Sequence, residues 1–306
     1  MALDDRVDAG FAAVRLQRAL ARLGSQTADP DFWRGLCPDL TITDRPPADA
    51  APVDVAAAGG GDALRQRMRD EGYAATSPIV PPESIAVCRD AVRRLDAEGL
   101  PAAFVTLYDE PYRMYAVLDP LIAAVLGPRP VMRAPALWAF HVPAGSAGRT
   151  RWTTFAPHRD YVDPDPRLLR DGVPGAVVAW IALTDVTPAD SCLYVLPADC
   201  DPDYRQSIKG VTLEHIVHQD VRAVPAAAGS VVLLSTRLVH WGSRSSRHAA
   251  GPRISLSTHL LRRGDATASE TIDLERPVPF AFRRRWLFES MRMLMAPEEL
   301  ARWRIS

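Results

Sequence analysis

What most constrains the fold of this chain is a change of texture at Arg129. Beyond it come short apolar runs interrupted by Gly, Pro, Asp and Ser, a pattern that builds strands and turns. Strands are predicted over residues 131–142, 153–161, 176–183, 192–196, 215–221, 230–235, 238–241 and 253–261. Helical spacing does not alternate with these runs, so repeated βαβ units are excluded and a sandwich or jelly roll remains.

Before Arg129 the spacing is helical. Residues 5–23 put Val7, Phe11, Val14 and Leu20 on one face, with Gly24 as a stop. Residues 45–61 are rich in Pro, Ala, Asp and Gly without periodicity, which predicts an exposed linker. Further helices are predicted over 63–71, over 82–99 with Ile85, Cys88, Val92 and Leu95 on one face, and over 112–126, closed by Gly127-Pro128. At the other end, residues 280–303 predict one or two helices with Arg283, Arg284 and Arg285 on a solvated face. With 306 residues, 47 % of them hydrophobic, the chain can bury one large core. The expected organisation is a helical flap and linker over 1–61, a catalytic domain with buttressing helices over 62–265, and a C-terminal helical extension over 266–306.

A formal net charge of −1 offers no electrostatic footprint for nucleic acid or an anionic membrane, and no apolar run approaches a membrane span. Cys37, Cys88, Cys192 and Cys200 form no CxxC pair, and acidic residues stand where a secretory signal would be positive. Both features point to a cytoplasmic protein with reduced thiols and a small-molecule substrate. No stripe in the sequence sets an oligomeric state.

The chemistry is concentrated in few residues. On an extended segment, side chains two apart point the same way, so His158 and Asp160 can hold one cation. His240, at the end of another predicted strand, supplies a second nitrogen. Two imidazoles and one carboxylate on one face of an ion leave open positions, the arrangement used by non-haem Fe(II). Taken singly, His158 and Asp160 would be a surface pair and His240 a satisfied core histidine. It is the order of HxD, distant His and nearby Arg253 within strand texture that favours the metal. Arg253 offers a planar fork for a carboxylate, and Ser255 shares its strand face. The expectation is an oxygenase with a dicarboxylate co-substrate. Among residues flanking the ligand segments, His141, Tyr161 and Trp241 are the candidates for substrate contact, with Trp138 and Trp152 beside them. His215, His218, His248 and His259 have no partner at ligand spacing and are read as structural.

These segments resemble the phytanoyl-CoA dioxygenase family of Fe(II)- and 2-oxoglutarate-dependent oxygenases. The resemblance spans about residues 71–261. It rests on Glu71-Gly72-Tyr73, on Pro157-His158-Arg159-Asp160, and on Trp180-Ile181-Ala182-Leu183 running on to Leu193-Tyr194-Val195-Leu196-Pro197. Ala228-Gly229-Ser230-Val231, the tail His240-Trp241-Gly242-Ser243-Arg244-Ser245-Ser246 and the Arg253 segment complete it. It implies a mainly β fold with flanking helices around a double-stranded β-helix (jelly roll, cupin-like), with His158, Asp160 and His240 on iron. Arg253 would take the distal carboxylate of 2-oxoglutarate, with Ser255 assisting and Trp180 alongside. The implied reaction consumes O2, hydroxylates an unactivated C–H of a metabolite or natural-product intermediate, or less readily an acyl-CoA, and releases succinate and CO2. Two loops depart from the family pattern: Asp190-Ser191 stands where Asn-Gly is usual, and Pro197-Ala198-Asp199-Cys200 where Pro-Gly-Ser-His is usual. The alternative is a metal-binding jelly roll of cupin type without oxygenase chemistry, which would have no need of Arg253.

Overall fold

The computed structural model describes residues 24–47, 51–134, 136–145, 156–160, 169–170, 172–206, 210–265 and 270–294. The predicted helix over 5–23, Trp152 and Tyr161 lie outside them.

Helices come first. After a 3-10 turn at Gly24–Ala28, they are α1 (Pro30–Leu36), α2 (Gly61–Asp70), α3 (Pro82–Ala97), α4 (Asp109–Val117) and α5 (Asp119–Leu126), with α6 (Phe280–Leu294) at the far end. Asp29 caps α1 by accepting a hydrogen bond from the Asp31 amide at 2.9 Å. Pro82 opens α3, where a missing N–H costs nothing. The single helix expected over 112–126 is two, broken at Leu118, because Pro120 has no N–H to bond backwards and its ring crowds the preceding turn.

The strands are β1 (Tyr73–Ala75), β2 (Val131–Arg133), β3 (Trp138–Val142), β4 (Leu169–Arg170), β5 (Val173–Pro174), β6 (Ala176–Ala182), β7 (Leu193–Leu196), β8 (Arg222–Val224), β9 (Val231–Ser235), β10 (Val239–Gly242), β11 (Arg253–Leu261) and β12 (Thr271–Ile272). A seven-stranded sheet runs β1-β9-β6-β11-β2-β12, with β3 also on β11, and a three-stranded sheet runs β10-β7-β8. All these pairings are antiparallel. The fold is mainly β with flanking helices, as expected, and the sheet does not close into a barrel.

Two strand expectations need correction. The run 131–142 is two strands on β11, β2 at Leu260 and Leu261 and β3 at residues 253–257, and Pro135 between them in sequence has no N–H for a ladder. Residues 215–221 form no strand; a 3-10 turn occupies Leu213–His215 and pairing starts only at Arg222. Leu213 is 63 % exposed and Val217 47 %, so this apolar run has no sheet face to cover it.

Alternation along the large sheet sorts its side chains into two layers. Val177, Ala179, Ile181, Val231, Leu233, Ile254 and Leu256 face the helices, in a cluster that extends from Trp33 to Met291. Val178, Trp180, Ala182, Val232 and Leu234 face the small sheet and the space between. The C-terminal arginines do not all lie on a solvated face: Arg285 is exposed, but Arg283 is not. Arg283 is 1 % exposed, pairs with Asp109 at 2.5 Å and donates to the carbonyls of Val278, Leu107 and Thr43, while Arg285 pairs with Glu270. Among the described residues, no helix is long and apolar enough to cross a membrane.

Gly72, just before β1, has φ +77°, and a Cβ there would lie 2.8 Å from Leu238 Cδ1. Gly72→Ala is expected to destabilise the fold by ~1–3 kcal/mol, from left-handed strain plus this overlap, as a lower urea midpoint with unchanged slope.

Candidate metal centre

His158 and His240 meet because their backbones pair. The two residues exchange hydrogen bonds, His158 N to His240 O at 3.1 Å and the reverse at 3.0 Å, as an isolated antiparallel bridge on the free edge of β10. Their rings lie 4.4 Å apart, tilted by 49°. Asp160 follows on the same side, with Oδ1 3.3 Å from His158 Nε2 and Oδ2 3.4 Å from His240 Nε2. One donor atom from each of the three residues falls within 4.8 Å of the other two.

The donor set fits a divalent cation. His158 Nδ1 lies 2.8 Å from the Ala156 carbonyl and His240 Nδ1 3.1 Å from the Leu238 carbonyl. Each ring therefore donates its proton to a carbonyl, and each Nε2 presents a lone pair. Two lone pairs and a carboxylate converging at these distances repel one another unless a positive charge sits between them. Burial opposes charge on Asp160, but the surrounding imidazoles of His240, His158 and His259 hold its carboxyl well below the ordinary carboxylate range. Burial likewise pushes the His240 imidazole down, favouring the neutral ring a metal needs.

Arg159, between the ligands, points the opposite way. Its guanidinium, 2 % exposed, holds Asp201, 1 % exposed, through contacts of 2.7 and 3.1 Å and donates to the Arg237 carbonyl. This pair ties the ligand segment to the 201–206 loop.

The triad opens into a cavity of about 450 Å³ that also contains Arg253, Trp180, Phe140, Trp138 and His259. The register along β11 orders its floor. Arg253 is opposite Val142, Ser255 is between Phe140 and Ala182, Ser257 between Trp138 and Trp180, and His259 beside Val178. Arg253 is 3 % exposed and donates from Nη1 to the Ser191 carbonyl at 2.9 Å, with its guanidinium 5.7 Å from the Phe140 ring centre. Desolvation pushes it down to about 10, so it stays charged at neutral pH. A Cβ at Gly242 would come within 2.7 Å of Arg253 Nη1, so glycine beside His240 leaves room for this side chain. Ser255 is fully buried, and its Oγ has no hydrogen-bond partner among the described residues. A buried cation and an unsatisfied hydroxyl two residues apart on one face fit an anionic ligand entering from the cavity. Ser191 takes a positive φ of 70°, the conformation for which the usual glycine is suited, and its carbonyl is the one that receives Arg253.

Two expected substrate residues lie elsewhere. His141 faces the helices, its Nδ1 3.2 Å from Asp96 on α3, because Phe140 takes the inward position. Trp241 alternates with His240 and points out of the small sheet, stacked on Tyr194 at 5.9 Å in a separate open groove with Pro157, Leu213 and Ile216. Residues to which the sequence reading gives no part in the site are Phe140, Gly242, Arg133, Ser290 on α6, and His259, read there as structural, whose Nε2 lies 3.6 Å from Asp160 Oδ2. The period of two that linked Ser255 to Arg253 reaches His259 as well.

Comparison with known proteins follows the same lines. The phytanoyl-CoA dioxygenase family model matches residues 68–250. No curated protein matches the sequence. Among solved structures, the chain is similar to AviO1 from Streptomyces viridochromogenes Tue57, at 20 % identity over 72 % of this chain and 100 % of that one, with a TM-score of 0.53. It is also similar to the epimerase SnoN, in complex with Fe3+, alpha-ketoglutarate and nogalamycin RO (19 % identity, 74 % and 96 % covered, TM-score 0.51). The non-haem monooxygenase ThoJ in its apo form is a third (18 % identity, 78 % and 97 % covered, TM-score 0.53). At these identities the structural likeness speaks to the fold.

Proposed function

The chain belongs to the phytanoyl-CoA dioxygenase family of non-haem enzymes that use Fe(II), 2-oxoglutarate and O2, and on that footing we propose that it hydroxylates an unactivated C–H bond of a small metabolite or natural-product intermediate. The carrying observation is a buried guanidinium in the same cavity as two imidazoles and a carboxylate. Membership favours this reading over the cupin-type alternative without oxygenase chemistry, which also gives Arg253 nothing to do.

In this reading His158 and His240 hold iron through Nε2, and Asp160 through a carboxylate oxygen. Arg253 and Ser255 bind the distal carboxylate of 2-oxoglutarate, and Trp180 forms the wall beside it. Bound there, iron with 2-oxoglutarate and O2 supplies the oxidising power, and succinate and CO2 leave. The protein's share is placement: the carbonyls of Ala156 and Leu238 fix both imidazoles, and Trp138, Phe140, Val178 and Leu234 keep water from the cavity walls. A small metabolite is favoured over an acyl-CoA because two of the C-terminal arginines, Arg283 on Asp109 and Arg285 on Glu270, are already paired within the chain.

Product mass tests the reaction type. Hydroxylation adds one oxygen atom, traceable from 18O2, whereas an unchanged mass with inverted stereochemistry would replace this proposal with epimerisation, the activity by which SnoN is described.

Arg253→Leu is expected to weaken 2-oxoglutarate binding ~10–100-fold, the loss of a charged two-pronged hydrogen bond, while metal affinity stays at the wild-type value. Calorimetric titration of the metal-free variant with Co(II), and of the Co(II)-loaded variant with 2-oxoglutarate, measures the two.

A further inference from the structure

Asp160 faces three imidazoles, and the third is unlike the other two. His158 and His240 each place Nδ1 against a backbone carbonyl, which leaves their Nε2 atoms as lone pairs. For His259, the polar partner among the described residues is Asp160 Oδ2, 3.6 Å from Nε2. With no hydrogen bond to a carbonyl among the described residues, His259 can carry its proton on Nε2, facing the carboxylate at a separation slightly longer than a hydrogen bond. The two carboxylate oxygens are distinguished by their contacts: that of His158 is to Oδ1, whereas those of His240 and His259 are to Oδ2. His259 also stands outside the group of donor atoms that share one 4.8 Å neighbourhood, so it is not a fourth ligand. Its backbone is held on both sides, since β11 pairs with β6 at Val178 and with β2 at the next residue, Leu260.

We propose that His259 is a positioning residue for the metal centre: a small closure of the 3.6 Å separation lets its Nε2–H bond Asp160 Oδ2, so that the carboxylate offers the cation one oxygen rather than two. The inference rests on the reading of His158, Asp160 and His240 as the iron site. Its chemical consequence is an additional coordination position left open, the one a second carboxylate oxygen would otherwise fill.

Co(II) binding to the metal-free full-length protein tests it, followed by calorimetry and by the visible absorption of the bound ion. His259→Leu keeps most of the volume and removes the donor, and His259→Gln returns an N–H near the Nε2 position. The expected result is ~10–100-fold weaker Co(II) binding and an altered spectrum in His259→Leu, the range typical for loss of a hydrogen bond to a ligand, with recovery of both in His259→Gln. Melting temperatures of the metal-free variants check the fold; should leucine lower its own, the glutamine variant against wild type carries the comparison. Wild-type affinity and spectrum in His259→Leu, or a glutamine variant no better than the leucine one, would overturn the role of His259 while the iron site stands. Failure of the wild-type protein to bind Co(II) would overturn the iron site itself.

Discussion

Asp160→Ala is expected to reduce 2-oxoglutarate-dependent succinate release to background. Asp160 is the one anionic donor among the three converging groups, and its oxygens lie 3.3 and 3.4 Å from the His158 and His240 Nε2 atoms. Without it a cation would have two neutral imidazoles, too few ligands to hold Fe(II) against water. His240→Ala should behave alike, because it removes one of the two nitrogens while leaving the backbone bridge to His158 in place. Coupled succinate assays with metal analysis of the purified variants read this out. Wild-type turnover in either would remove these residues from the site.

The second large effect falls on stability. Asp201→Ala leaves the Arg159 guanidinium, 2 % exposed, with no carboxylate to balance it. Breaking one side of a buried pair costs ~3–5 kcal/mol, because the remaining charge has been stripped of water without compensation. Urea unfolding of the metal-free protein should show that loss. The double variant Arg159→Met/Asp201→Leu should be more stable than Asp201→Ala, since no charge then stays buried. Equal stability of Asp201→Ala and wild type would mean that the pair is solvated and does not tie the ligand segment to the 201–206 loop.

Most of the centre was legible in the sequence because strand geometry has a short period. His158 and Asp160 two apart, and Arg253 and Ser255 two apart, needed only alternation to be placed on common faces, and both pairs point as alternation requires. Adjacency misleads where alternation does not: His141 and Trp241 neighbour inward residues in sequence, yet one step along a strand reverses direction, and both face away. His259, two steps beyond Ser257 on the inward face, has no neighbour at ligand spacing because its neighbour comes from another segment. Long-range partners such as Asp201 for Arg159 or Asp109 for Arg283 leave no local pattern at all. The fold class followed from strand density and turn residues, whereas residues 215–221 show that an apolar run can also belong to a turn with its side chains in solvent.

Anaerobic titration of the Fe(II)-loaded protein with 2-oxoglutarate, watched for a metal-to-ligand charge-transfer band, tests the central claim most directly. A saturable band at one equivalent, lost in Asp160→Ala and shifted to higher concentrations in Arg253→Leu, is the predicted result. Fe(II)-loaded wild-type protein that develops no such band at saturating 2-oxoglutarate would contradict it.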